Sequence, residues 1–434
     1  MATQFKAIHE EIIDQYLYDN NPRPWIVGFS GGKDSTLLLQ LVWFALLEIP
    51  SELRTRKVYV ICNNTLVENP KVLDYVEEVL KQISKSAAQQ SLPIIVQQTI
   101  PAIEDSFWVN LIGKGYPAPN NVFRWCTERL KINPTTKFIT EKISEHGEAI
   151  LLLGTRSDES ANRAKNLKKR EVKGERLRKH ILPNAYVYAA IANVKTDDLW
   201  QYLAQVKNPW GSSNKELITL YKNANSGDCP LIIDKDIPSC GNSRFGCWVC
   251  TVVKRDKSME ALIENGEEWM EPLMELRDDL MVSRDSEKHR SNTRRNGQTG
   301  PGIMGPYLPW YRAQFLEKLL KAQKEIQDEF SEIENLISYQ ELVGIQVLWY
   351  RDGIFEYKVA DIYKKIYGKE IRIEVENKQV IKEREMLQEV CEDNPKDYDL
   401  IHELLALQKT KTILMNNRGL QNDIENHLEK FIKN

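Results

Sequence analysis

Six consecutive residues, Ser30-Gly31-Gly32-Lys33-Asp34-Ser35, have the types and spacing of an anion cradle. Gly31 and Gly32 let the backbone turn tightly and bring its N–H groups close to an anion. Lys33 and the start of the helical pattern that follows add positive potential, and the Ser30 and Ser35 hydroxyls can hydrogen-bond phosphate oxygens. The loop is not a Walker A motif. Only three residues separate Gly28 from Gly32, and Asp34 stands where Ser or Thr must follow the lysine.

A second polar run, Gly154-Thr-Arg-Ser-Asp-Glu-Ser-Ala-Asn-Arg163, offers Arg156 for bidentate contact with phosphate. In the same run Asp158 or Glu159 could help hold Mg2+, and Arg163 sits on the next turn. Taken alone, such a run is more often a solvated surface. Four of the seven cysteines, Cys229, Cys240, Cys247 and Cys250, form C-x10-C-x6-C-x2-C in a loop rich in glycine and proline. Thiolates gathered on such turns suit a tetrahedral sulfur site, either structural zinc or an iron–sulfur cluster. Spacing alone leaves both open. Zinc sites more often show two Cys-x-x-Cys pairs, and Phe245 and Trp248 would shield a cluster from water, which favours 4Fe-4S over zinc. Cys126 stands apart in Phe123-Arg-Trp-Cys-Thr-Glu-Arg-Leu-Lys131, where Arg124, Arg129 and Lys131 could lower a thiol pKa and make it a nucleophile or persulfide carrier. The alternative is a buried core thiol. Cys62 and Cys391 read as core or incidental.

The elements that must position these residues alternate between strand and helix in the first half. Strands are expected at residues 25–29, 57–62, 93–97 and 149–154, with helices at 36–49 and around 70–84. Short apolar strands separated by helices indicate a buried parallel sheet covered on both faces. Ligands then bind beyond the strand C-termini, so the Ser30 loop, Asn63-Asn64-Thr65 and the Gly154 run should converge on one crevice. Beyond residue 221 come the cysteine segment, an acidic helical stretch and a basic polar loop at 283–300. A helical pattern follows at 311–342, then a hairpin across Asp352-Gly353 and charged helical sequence.

At 434 residues and a net charge of -3, the chain is long enough for two or three domains and has no global pull toward nucleic acid. Residues 1–18 are amphipathic and acidic, unlike a secretory signal, and the longest apolar stretch, 37–47, is too short to span a bilayer. A cytoplasmic location with no membrane partner follows, and there cysteines are thiols or metal ligands more often than disulfides. Two local basic runs stand out, 163–180 and 284–295. Charge runs are often only solvated faces, yet two on a slightly acidic chain suggest a defined phosphate-binding surface. Neither run contains interleaved aromatics, so duplex DNA is the expected contact.

The Ser30–Ser35 loop resembles the PP-loop of ATP pyrophosphatases, which split ATP into AMP and PPi. The Gly154 run resembles the Gly-x-Arg-x-Asp-Glu-Ser…Arg segment of the PAPS reductase-like branch. So does Val194-Lys-Thr-Asp-Asp-Leu-Trp-Gln-Tyr-Leu203, whose plainer reading is an amphipathic helix capped by Thr196 or Asp197. Sulfonucleotide reductases carry a cluster-ligating cysteine pair near the position of Cys126, and here Trp125 replaces one member. Together these features, from about residue 10 to about 300, resemble the DndC family of bacterial DNA phosphorothioation.

That resemblance implies an α/β fold with a parallel sheet of the PP-loop (adenine nucleotide alpha hydrolase-like, PAPS reductase-like) type. The expected division is a PP-loop domain at 1–225, a cysteine segment with a basic loop at 226–305, and a mainly helical region at 306–434. It further implies ATP and Mg2+, a 4Fe-4S cluster, DNA as substrate, a cysteine desulfurase as sulfur donor, and DndD- and DndE-like partners. Lys33, Asp34, Arg156 and Cys126 would then carry the chemistry, with Asn63 and Thr65 near the adenosine. The competing readings are a tRNA thiolase, a PAPS/APS reductase and a zinc-stabilised DNA-binding scaffold. The intact loop and the lack of a cysteine near residue 434 argue against the reductase.

Overall fold

The computed structural model describes residues 2–17, 22–159, 161–170, 175–223, 246–300, 302–331, 333–371 and a few isolated positions beyond. The chain divides into two compact units, Met1–Ile100 with Thr127–Met274, and Pro101–Cys126 with Glu275–Asn434. In chain order the helices are α1 (Ala2–Leu17), α2 (Lys33–Glu48), α3 (Pro70–Gln89), a single turn α4 (Trp125–Thr127), α5 (Asn133–His146), α6 (Ala161–Arg170) and α7 (Thr196–Gln205). They continue with α8 (Asn214–Asn223), α9 (Lys257–Glu264), α10 (Glu271–Arg284), α11 (Pro309–Glu329), α12 (Tyr339–Arg351) and α13 (Val359–Tyr367). No described helix is long and apolar enough to cross a membrane.

The first unit is built on β1 (Trp25–Gly28), β2 (Val58–Asn63), β3 (Ile94–Thr99), β4 (Ala149–Leu152), β5 (Arg178–Lys179) and β6 (Ala185–Tyr188), in the order β3-β2-β1-β4-β6-β5. All neighbours are parallel except β5 against β6. This is the expected α/β sheet, and the four anticipated strands lie within two residues of their predicted bounds. β5 and β6 have no counterpart in the sequence reading.

Side chains alternate across the sheet as period two requires. Trp25, Val27, Val58, Val60, Ile150 and Leu152 share one core with apolar residues of α1, α2, α3, α7 and α8. Ile26, Tyr59, Ile61, Ala149 and Leu151 face the other way, onto Phe138 and Ile139 of α5. Both faces are therefore buried, which explains why these strands read as unbroken apolar runs. From β1 the chain builds outward to β2 and β3, then returns to β4 on the opposite side of β1. The strand order reverses between β1 and β4, and a crevice opens there beyond the strand C-termini.

In the second unit, a π-helical turn at Val109–Gly113 packs beside α11 and α12. Such a turn leaves carbonyls without their usual helical donors. Arg312 donates to the Ile112 and Gly113 carbonyls, and Trp349 Nε1 donates to Ile112 O at 2.9 Å. The hairpin expected at 347–357 does not form. Residues 347–350 end α12, which opens with a Ser338–Glu341 capping box and buries Leu342, Ile345, Leu348 and Trp349 at helical spacing. Gly353, at φ 74°, closes the helix while Ile354 N donates to Trp349 O.

Candidate active site

The Ser30 loop joins β1 to α2. Gly31 adopts φ +70°, and a Cβ there would lie 2.4 Å from Val76 Cγ2, so only glycine fits. Gly32 occupies the N-cap of α2 and supplies no side-chain cap, leaving the helix N-terminus open to an anion. Ser35 Oγ accepts from Ser30 N at 3.2 Å and donates to Gly32 O at 3.0 Å. Its single proton is thereby committed, so the Ser30 hydroxyl donates to it across 3.2 Å. The two hydroxyls expected to face phosphate belong to residues that line the cavity, and they also tie the loop together.

Tyr221, from α8, escaped the sequence reading of the site. Its hydroxyl accepts from Lys33 N at 3.4 Å, and its ring lies 5.4 Å from Lys33 Nζ. Burial pushes this hydroxyl well above the ordinary tyrosine range. Nothing in the local pattern marked it, because 188 residues separate the partners.

Arg156 was expected to face phosphate. It is 1% exposed, and its Nε donates to Asp34 Oδ1 at 2.5 Å while Lys33 Nζ holds Asp34 Oδ2 at 3.1 Å. Arg156 Nη1 also donates to Val194 O at 2.9 Å, and Arg156 N donates to Glu159 Oε2 at 3.0 Å. Asp158 Oδ2 accepts from both Thr196 N (2.8 Å) and Thr196 Oγ1 (2.7 Å), so Asp158 caps α7 from a distant loop. Neither Thr196 nor Asp197 is the cap. Lys195 holds the N-cap position without a side-chain bond. The Thr196 bonds lead the causes that hold the Asp158 carboxyl below its usual range. Gly154 lets the two loops meet, since a Cβ there would sit 3.0 Å from Asp34 O and 3.2 Å from Ser35 N. Asp34, Asp158 and Glu159 thus face the crevice already engaged by protein donors, and do not form an open carboxylate trio.

At the end of β2, Asn63 Oδ1 accepts from the hydroxyls of Thr99 and Thr135, the latter at 2.9 Å. Asn63 lines the crevice, whereas Thr65 is fully buried and turns away. Its Oγ1 donates to Glu68 Oε1 at 3.0 Å and lies 3.3 Å from Cys247 Sγ. Residues 246–248 run against 67–69 through Asn69 N to Gly246 O (3.2 Å), Trp248 N to Val67 O (3.0 Å) and a Glu68–Cys247 bridge. The cysteine segment is therefore strapped to the loop that leaves the crevice. Burial first, then Glu68, pushes the thiols of Cys62 and Cys247 up to about 12. Such thiols become thiolates only against a cation.

Cys250 N donates to Cys247 O at 3.1 Å, placing both cysteines on one tight turn, as two corners of a sulfur-ligated site require. Cys229 and Cys240 lie outside the described residues, and among the described ones no group of three His, Cys, Asp or Glu is placed to hold a metal. The side chain of Arg163, on α6, also lies outside them.

Cys126 belongs to the second unit and is half-buried. Trp125 is buried, stacked 5.3 Å from Phe107, with Nε1 donating to Pro117 O at 2.9 Å. In the first basic run, Lys165, Lys168 and Lys169 are exposed, while Arg176 pairs with Asp14 at 2.7 Å. In the second, Arg290 donates to the Gly305 carbonyl of its own loop, while Arg284 and Arg295 donate to the carbonyls of Pro119 and Lys114, so part of that charge fastens the loop in place.

Ser30–Ser35, Asn63, Lys131, Gly154–Arg156, Asp158, Glu159 and Tyr221 line a cavity of about 1180 Å³ within the first unit. That exceeds the usual small-molecule pocket of about 300–1,000 Å³, so a nucleotide leaves room for a second group.

An uncharacterized protein of Methanocaldococcus jannaschii is 28% identical over 256 residues, covering 57% of this chain and 42% of that protein. The chain thus spans less than half of that relative. PAPS reductase from Candida auris, solved as a phosphate complex, is 12% identical over 45% of this chain and 84% of its own, with a TM-score of 0.27. The U34-tRNA thiolase NcsA from Methanococcus maripaludis, solved with its 4Fe-4S cluster, is 14% identical over 68% of this chain and 84% of its own, with a TM-score of 0.32. The model of the phosphoadenosine phosphosulfate reductase domain matches residues 24–253, more than half of the sequence, and the chain belongs to that family.

Proposed function

We propose that this chain is a PP-loop ATP pyrophosphatase and sulfurtransferase that activates a DNA backbone phosphate for sulfur insertion, as a DndC-type enzyme. The observation that carries the ATP half is the Ser30–Ser35 loop, open at the N-terminus of α2 and facing a cavity at the β1–β4 switch point. Lys33 is poised there, held between Asp34 and the Tyr221 ring. The strapping of residues 246–248 to 67–69 supports a sulfur role, because it sets a cysteine pair beside the same crevice.

ATP lies across the crevice with pyrophosphate on the loop. Asp34, Asp158 or Glu159 would help hold the Mg2+ that accompanies its phosphates, and that ion would offset charge on the departing pyrophosphate. A non-bridging oxygen of a DNA phosphate attacks the α-phosphorus and PPi leaves, giving an adenylated phosphodiester. Oxide leaves very poorly from phosphorus and AMP leaves well, which is why adenylation precedes sulfur entry. The terminal sulfur of a persulfide on Cys126 then displaces AMP, and a second thiol breaks the S–S bond to leave the phosphorothioate. Lys33 stabilises charge on the departing pyrophosphate, and Arg156 fixes Asp34 so that Lys33 stays aimed at it. Cys247 and Cys250, with Cys229 and Cys240, would hold a 4Fe-4S cluster, which supplies a rigid, sulfur-rich centre. DNA, a cysteine desulfurase and DndD- and DndE-like proteins are the proposed partners, in the cytoplasm.

The reading is tested by PPi release from ATP with duplex DNA present. Lys33→Ala should lower the rate by about 100-fold or more, in the range found for loss of one charge-stabilising group. Undiminished turnover by that variant would overturn the loop assignment.

A further inference from the structure

The second unit carries an aromatic and basic surface that the sequence divides between two distant segments. Residues 120–123 form a pinned turn. Asn120 Oδ1 accepts from Val122 N at 2.9 Å and Phe123 N at 2.7 Å, while Asn120 N donates to Phe123 O at 3.3 Å. The flanking chain is fastened as well, with Ala118 N donating to Tyr307 Oη at 3.2 Å and Arg284 Nη1 to Pro119 O at 3.1 Å. This rigid turn presents its apolar side chains to solvent: Val122 is 96% exposed and Phe123 45%.

Phe123 leans on Tyr116 at a centroid distance of 6.2 Å, and Tyr116 meets the buried Trp125 edge-on at 5.7 Å. The Arg295 guanidinium, from the second basic run, lies 5.1 Å over the Tyr116 ring. Arg124 follows Phe123 directly and is exposed, as is Arg294. The charge is one-sided. Residues 106–127 contain Lys114 and Arg124 and no acid, and residues 288–316 contain five Lys or Arg and no acid, in a chain whose net charge is -3. Core packing does not explain an exposed Phe–Val tip, and a merely solvated face does not explain its preorganisation.

We propose that this surface takes an unpaired stretch of DNA strand, with a base stacked on Phe123 and neighbouring phosphates on Arg124, Arg294 and Arg295. Every base has a π-face, so an aromatic platform flanked by arginines accepts single strands whatever their sequence. A pinned turn has already met the ordering cost of binding. The proposal rests on the reading of DNA as substrate and refines it, because it requires local strand opening where a basic run alone suggests duplex contact. Phe123 stands three residues before Cys126, so a strand held here lies along the segment that bears the proposed sulfur carrier.

The test is fluorescence anisotropy of the full chain with a labelled twelve-nucleotide DNA strand, its duplex and the matching RNA strand, across a salt series. Wild type should bind the DNA strand more tightly than the other two. Phe123→Ala should weaken strand binding about tenfold or more at unchanged Tm, and Phe123→Trp should restore it. Arg124→Gln should lower the salt slope by about 0.7, the value for one phosphate contact on a single strand. Tighter binding of duplex or RNA, or wild-type affinity in Phe123→Ala, would overturn the proposal. PPi release in the same samples separates the two ideas. DNA-stimulated release with no Phe123 effect sinks the surface alone, whereas Phe123-dependent strand binding without PPi release upholds the surface and sinks the activity.

Discussion

Arg156 Nε donates to Asp34 Oδ1 across 2.5 Å, joining two loops 122 residues apart beneath the cavity. The pair is almost fully withdrawn from water, with the Arg156 side chain 1% exposed and that of Asp34 17%. Removing Arg156 leaves Asp34 with Lys33 as its remaining charged partner and takes a donor from the buried Val194 carbonyl. Arg156→Ala should therefore lose about 1–3 kcal/mol of unfolding free energy. Arg156→Lys should restore little of it, since a lysine cannot reach Asp34, Val194 O and Thr196 together. Urea unfolding followed by circular dichroism reads both variants, and near-wild-type stability of Arg156→Ala would count against the pair as the site's support.

Gly154 permits the same loops to meet. Gly154→Ala places a methyl 3.0–3.2 Å from the backbone of Asp34 and Ser35, which cannot swing aside as a side chain can. The expected cost is about 1–3 kcal/mol, together with weaker ATP binding in calorimetry. Unaltered affinity would show that the loop tolerates displacement.

Tyr221 holds Lys33 from two sides. Tyr221→Phe removes the acceptor for Lys33 N, about 1 kcal/mol, and should leave ATP affinity within a few-fold of wild type. Tyr221→Ala also removes the buried ring, about 3–5 kcal/mol, and should weaken ATP binding far more. Equal effects of the two would assign the whole role to the hydroxyl.

These relationships mark what the sequence displayed and what it concealed. The Ser30 loop, the first four strands and the Gly154 run were legible because each is a short contiguous pattern whose meaning depends on local turn and strand physics. Which partners the polar side chains take was not legible. Arg156, Asp158 and Thr65 carry the residue types of a phosphate, metal or nucleoside site. Only the fold shows them joined to Asp34, Thr196 and Cys247. The hairpin expected around Asp352-Gly353 failed for a related reason. A glycine after a polar residue closes a helix as readily as it turns a hairpin, and the buried spacing of Leu342, Ile345, Leu348 and Trp349 decides for the helix.

Acid should uncouple α7 from its distant cap. The folded Asp158 carboxyl titrates below its ordinary value, led by the Thr196 hydrogen bonds. Its contribution is therefore fully present above about pH 4, the unfolded value, and is lost as pH falls through the lowered folded value. Asp158→Asn should be less stable than wild type at neutral pH, and the difference should shrink steadily below about pH 4. A difference independent of pH would point to packing and not to charge.

Alkylation rates test the thiols. In metal-free protein, Cys247 and Cys62 should react with iodoacetamide far more slowly than a peptide thiol at pH 8, because burial holds both near 12. Peptide-resolved mass spectrometry gives each rate. Rapid labelling of Cys247 at pH 8 would contradict the strapped arrangement of residues 246–248 against 67–69.

Sulfur insertion into DNA driven by the Ser30–Ser35 loop is the proposed activity. Its most direct measurement is mass spectrometry of nuclease-digested genomic DNA from cells lacking the gene and complemented with wild type, Lys33→Ala or Cys126→Ala. Sulfur-bearing dinucleotides should appear with wild type and be absent with both variants. Their absence with wild type under active expression, or their persistence in Lys33→Ala, would contradict the proposed activity.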